Sequence, residues 1–178
     1  MRVRFASVSF AAAFFAVVFS TPAMADAAPR QLLNKTVRVS FTVTNTLRRP
    51  DGRTVTGGTS AVLLFYVSSA GRIFVKRMAG GRSGEAGPGE ATTNAGVARS
   101  ASFQGGRLIA IANRGGGAGR TIVSFDPGYA SCTVNVQYGK PEGQAVTRRG
   151  PRGGILELIS TSYSGQSCSI AEGNQVAN

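Results

Sequence analysis

The chain contains no histidine and no tryptophan. Without imidazole there is no Ser-His-Asp or Cys-His relay, no histidine acid–base group and no histidine-ligated metal site. Without indole the strongest ring for cation–π contact and for stacking on sugars is missing. Cysteine occurs only at Cys132 and Cys168. Two isolated thiols are too few for a metal site, and an even pair in an exported chain reads as one disulfide. Oxidised, they are lost as nucleophiles. The bridge closes a loop of about 37 residues, worth roughly 4 kcal/mol on the chain-entropy account.

Acids are scarce as well. Eight Asp and Glu stand against 20 Lys and Arg, a net charge of +12. The eight are Asp26, Asp51, Glu85, Glu90, Asp126, Glu142, Glu157 and Glu172. Most fall in expected loops, and Asp51 and Asp126 stand before Gly and Pro-Gly, where turn chemistry favours them. Glu157 alone sits inside an expected strand, facing solvent while its neighbours Leu156 and Leu158 face the other way. No two carboxylates are placed to face each other as glycoside hydrolysis requires. No stretch has the dense acidic spacing of a calcium loop. The chain is therefore read as non-catalytic, with no cofactor and no metal.

Long apolar runs are confined to the start. Arg2 and Arg4 precede a nearly uncharged run over residues 5–19, followed by Pro22 and small residues two apart, Ala23 and Ala25. A basic start, an apolar middle and a small-residue cut site predict a cleavable signal peptide over residues 1–25. The apolar run is shorter than the roughly 20 residues of a transmembrane span, and Arg2 and Arg4 do not form a twin-arginine pair. The expectation is one periplasmic or secreted domain over residues 26–178, carrying 18 basic and eight acidic residues, net +10. No later stretch is long and apolar enough to cross a bilayer as a helix. The apolar run at 61–67 suits a buried strand.

What remains is a β pattern. Val37, Val39, Phe41 and Val43 alternate with Arg38, Ser40, Thr42 and Thr44, the period-two pattern of a half-buried strand. Residues 45–60 read as turn-rich, with Pro50-Asp51-Gly52, Gly57-Gly58 and a short strand at 53–56. Strands at 61–68 and 72–77 pair as a hairpin through Ser69-Ala70-Gly71. In the second of these, Ile73 and Val75 face one way and Arg72, Phe74 and Lys76 the other. Mobile loops are expected around 79–96 and 139–153. Between and after them come strands at 98–103, 107–113, 120–126, 131–138, 155–161 and 167–171. Eight or nine short strands with Gly and Pro punctuation predict an all-β fold, a single antiparallel sandwich or a small closed barrel with one disulfide. Strands this short, without aromatic girdles, disfavour an outer-membrane barrel.

A basic exported protein is expected to meet anionic surfaces. The densest clusters are Arg148, Arg149 and Arg152, and Arg48, Arg49 and Arg53, all in expected turns. Arg114 and Arg120 flank a glycine run that lacks the Gly-Lys-Ser/Thr ending of a phosphate loop and has no helix after it. The sequence thus predicts a binding domain that contacts polysaccharide, lipid headgroups or another polyanion through these eight arginines. Sequence-specific nucleic-acid recognition is not expected, since no recognition helix is present. The competing readings are a carrier of a small apolar ligand in a barrel or sandwich cavity, and a structural envelope-associated protein without a dedicated ligand.

Overall fold

Period-two alternation persists well beyond the residues where it is most obvious, and the strands are correspondingly long. The computed structural model describes residues 25–87, 91–114, 117–139, 145–149 and 154–177. The expected signal peptide up to residue 24 lies outside the described residues. Strand β1 (Lys35–Arg48) and strand β2 (Thr54–Val67) form a hairpin in unbroken register from Lys35↔Val67 to Arg48↔Thr54. Its turn is Arg49–Arg53. Gly52 adopts φ 83°, which glycine reaches at no steric cost. The Asp51 carboxylate accepts the Arg53 backbone N–H at 3.0 Å. Strand β3 (Ile73–Gly84) pairs with β2 through the Ser68–Gly71 turn expected from sequence.

Two segments of two residues, β4 (Ala91–Thr92) and β5 (Gly96–Val97), add to the outer side of β3. A four-stranded meander follows: β6 (Ala101–Gln104), β7 (Arg107–Arg114), β8 (Gly117–Phe125) and β9 (Cys132–Gly139). Its turns at Gly105-Gly106 and Asp126–Gly128 fall where turn residues cluster in the sequence. Asp126 accepts the Ser131 N–H at 2.7 Å. This bond, with further backbone N–H groups of the turn, holds the carboxyl below the usual aspartate range. The chain returns through β10 (Thr147–Arg149) to β11 (Ile155–Glu172), which pairs with β1 along nearly its whole length.

The result is two antiparallel sheets, β10-β11-β1-β2-β3-β4 with β5 beside it, and β6-β7-β8-β9. They stack as a sandwich and do not close into a barrel. The only helical turn among the described residues is a single 3-10 turn at Arg30–Leu32. The main core lies between the sheets: Val37, Val39, Phe65, Val67 and Ile73 from one, Phe103, Leu108, Val123 and Val136 from the other, with Leu32 at the end. The larger sheet overhangs the smaller. Under the overhang a second, smaller core forms from Leu47, Leu156 and Leu158, covered by Ala86 and Val146 from the connecting segments.

Cys132 and Cys168 form the expected disulfide, with Cα atoms 5.6 Å apart. It ties the first residue of β9, an edge strand of the small sheet, to the part of β11 beyond β10. Nearby, the Val136 N–H donates to Gln166 Oε1 at 2.7 Å, so a side chain of one sheet satisfies an edge amide of the other. This is the corner where an unpaired edge would otherwise face solvent. At the chain's end, Thr36 is fully buried; its hydroxyl donates to the Gly173 carbonyl at 2.7 Å and accepts the Gln175 N–H at 3.1 Å.

Four expectations need correction. Residues 155–161 and 167–171 are one strand, because a register shift near Gly165 (φ 58°) absorbs the break in alternation as a β-bulge. The expected loop at 79–96 opens with six further residues of β3. The expected loop at 139–153 holds β10 and the buried Val146, and its residues 140–144 and 150–153 lie outside the described residues. Gly57 and Gly58 do not turn; they lie within β2, and the segment after β3 crosses directly over them.

A Cβ on Gly57 would sit 2.2 Å from the Gly87 nitrogen and 2.5 Å from the Ser83 carbonyl oxygen. Gly57→Ala should therefore lift residues 83–87 and uncover Ala86, costing about 1–3 kcal/mol. Gly80→Ala, with nothing within 4 Å of the added carbon, should cost far less. Denaturant midpoints of the two variants distinguish a glycine that makes room for a neighbouring segment from one that faces open space.

Candidate anion-contact site

Strand pairing within each sheet and the stacking of the sheets bring seven of the eight candidate arginines to one end of the sandwich. Arg48 closes β1 and pairs in register with Glu157 of β11, which pairs in turn with Thr147 of β10. Arg49 and Arg53 sit in the adjoining turn. Arg148 and Arg149 oppose Leu156 and Ile155 at the same edge. Arg152 lies outside the described residues, as do the side chains of Arg114, Arg148 and Arg149. In the small sheet Arg114 and Gly117 close the β7–β8 hairpin, and Arg120 stands three residues from that tip, between Ile111 and Gln137. Tyr138 of β9 packs on the small core at this end, which places the hairpin tip beside the overhang. Arg82, which sequence reading did not single out, joins them near the end of β3.

These positions are not equally free. Arg48 Nη1 lies 3.5 Å from Glu157 Oε2. Arg49 is half-buried and paired with Glu85, while Arg82 donates to the Glu85 carbonyl at 2.9 Å. Arg53 donates through Nε and Nη2 to Asp51 Oδ2 at 2.9 and 2.7 Å. The Arg53 guanidinium holds the Asp51 carboxyl below the usual carboxylate range, and Asp51 raises Arg53 in return. Exposed pairs of this kind contribute little to stability. Their consequence is for charge: three of the hairpin arginines carry a local counterion. Arg120 is exposed and takes part in none of the four ion pairs among the described residues.

Among the described residues this end holds eight arginine positions, counting Arg82, against Asp51, Glu85 and Glu157. The opposite end, around the disulfide, holds Arg30, Lys35, Arg72, Arg99 and Arg107 against Asp26, Asp126 and Glu172. Arg38, Lys76 and Arg77 lie between. Positive charge is thus general over the molecule and densest at the arginine end.

Arg72, Phe74 and Lys76, grouped by alternation in the sequence, do share a face. Phe74 is half-buried against Tyr66, with ring centroids 6.2 Å apart, so it packs within the sheet's outer surface. Arg77 follows the same alternation onto the apolar face of Ile73 and Val75. It turns inward, to a cavity between the sheets lined by Phe41, Val43, Leu63, Val136 and Tyr163 among others. Among the described residues no three His, Cys, Asp or Glu side chains come together, and no helix is long and apolar enough to cross a membrane.

The chain matches no protein-family model, no curated protein and no solved structure.

Proposed function

We propose that the protein is a non-catalytic exported domain that holds an anionic polymer or surface against its arginine-rich end. The observation that carries this reading is the register. Arginines far apart in sequence, at residues 48–53, 82, 114–120 and 148–149, share one end through strand pairing. Arginine is suited to the task, because its guanidinium donates in a planar fork that matches sulfate, phosphate and carboxylate oxygens. The lack of histidine in the chain, and of a cluster of three His, Cys, Asp or Glu among the described residues, supports a binding role over a catalytic one.

The experiment is retention of oxidised residues 26–178 on a heparin-type column and on a cation exchanger of matched charge density. Later elution from the polyanion, and loss of retention as salt rises through about 0.15 M, where the Debye length falls to about 8 Å, is the expected result. Equal elution from both columns would reduce the charge to a nonspecific property. Vesicles of anionic lipid in the same buffers separate a headgroup partner from a polymer.

A further inference from the structure

We infer that the cavity between the sheets is a binding site for a small molecule with an apolar body and a carboxylate head. The inference is independent of the polyanion reading and concerns the interior of the molecule.

The cavity exists because side chains shrink on one wall. Toward the arginine end the inner face of the small sheet carries Ala110, Ala112 and Gly119, paired in register with one another and with Thr121 and Tyr138. The facing wall keeps Phe41, Val43 and Leu63. Phe41 and Tyr163 meet edge to face at 5.5 Å. Small residues opposite large ones leave about 100 Å³ between the two cores, opening to solvent. At roughly 30 Å³ per water-sized group this takes three or four heavy atoms, with more at the mouth. A short acyl tail fits; a drug-sized ligand does not.

Five polar side chains border this apolar space besides the threonine of the small sheet, and three of them, Asn45, Thr161 and Tyr163, are already engaged. Thr161 donates to Asn45 Oδ1 at 2.9 Å, and Asn45 donates to the Ala86 carbonyl at 3.4 Å. Two are not. The Tyr138 hydroxyl oxygen is buried and has no hydrogen-bond partner among the described residues. The Arg77 guanidinium takes part in none of the four ion pairs among the described residues, although its Cα is paired with Leu63 on the inner face. A buried hydroxyl and a cavity-lining arginine, neither with a carboxylate partner among the described residues, are the donors that an anionic oxygen head needs. The apolar walls select the tail.

The test is a titration followed by amide NMR shifts of oxidised residues 26–178 at 0.15 and 0.5 M salt. The probes are hexanoate, 1-hexanol with the same tail, and acetate with the same head. Hexanoate should move the amides of Val43, Ala112, Gly119, Val136 and Thr161, and bind about tenfold more tightly than hexanol or acetate. Arg77→Gln should bring hexanoate down to the hexanol value and leave hexanol unchanged. Gly119→Leu should abolish both, since the nearest atom to an added Cβ there is the Ala112 carbonyl oxygen at 3.6 Å, so the side chain enters the cavity without backbone strain. Ala112→Leu serves the same purpose should Gly119→Leu not fold. Equal binding of hexanoate and hexanol to the unaltered protein would overturn the carboxylate assignment. Shifts equal to those of acetate, or binding that survives the filled cavity, would overturn the site.

Discussion

Replacing Cys132 and Cys168 together by serine is expected to lower the unfolding free energy by about 4 kcal/mol. The bond joins residues 36 apart, and its loss frees that loop in the unfolded chain. It also joins the two sheets at the corner where β9 and β11 leave edges. Without it, the Gln166 side chain on the Val136 amide is the remaining polar tie described there. Denaturant unfolding of the oxidised protein and the double-serine variant reads the effect directly as a change in midpoint at constant slope. A loss below about 1 kcal/mol would mean that packing alone holds the corner.

Phe65→Ala should cost about 3–5 kcal/mol. Phe65 is 2 % exposed and is the largest fully buried side chain. It stands on β2 between Val37 and Val75 in register and belongs to the cluster that both sheets share. Truncation removes its transfer free energy and leaves a void that two sheets held by a disulfide cannot readily collapse. Thr56→Ala, exposed on the same strand, should change stability by less than about 0.5 kcal/mol. If the two variants unfold at similar denaturant concentrations, the inter-sheet core is not the source of stability.

Much of this architecture is legible in the chain. Alternation from Val37 to Val43 marks the inner face of β1. Turn chemistry marks the Pro50-Asp51-Gly52, Gly105-Gly106 and Asp126-Pro127-Gly128 reversals, and two cysteines in a histidine-free chain mark the bridge. The failures share a physical origin: glycine serves three purposes that look alike in sequence. At Gly52 and Gly71 it supplies positive φ in a turn. At Gly57 it makes room for another segment's backbone, inside a strand. At Gly165 it makes a bulge that reverses the phase of alternation without ending the strand.

The arginine end was only half legible. Residue types and turns pointed to Arg48, Arg49 and Arg53, but the acids that pair with the first two come from distant parts of the chain: Glu157 is 109 residues from Arg48, and Glu85 is 36 from Arg49. No local pattern encodes those partners. Arg77 carried a signal, since period two places it on the face of Ile73 and Val75. That a cavity awaits it depends on Ala112 and Gly119 lying across from Phe41 and Leu63, which only the stacking of the sheets decides.

The proposed function requires that charge act by position and not by total. It is tested by comparing two variants of equal net charge on the heparin-type column. One carries Arg120, Arg148 and Arg149 changed to serine, at the arginine end; the other carries Arg30, Arg72 and Arg107 changed to serine, at the disulfide end. The account predicts that the first elutes at clearly lower salt than the unaltered protein, and that the second shifts only as much as it does on a plain cation exchanger. Equal losses in both variants would contradict it.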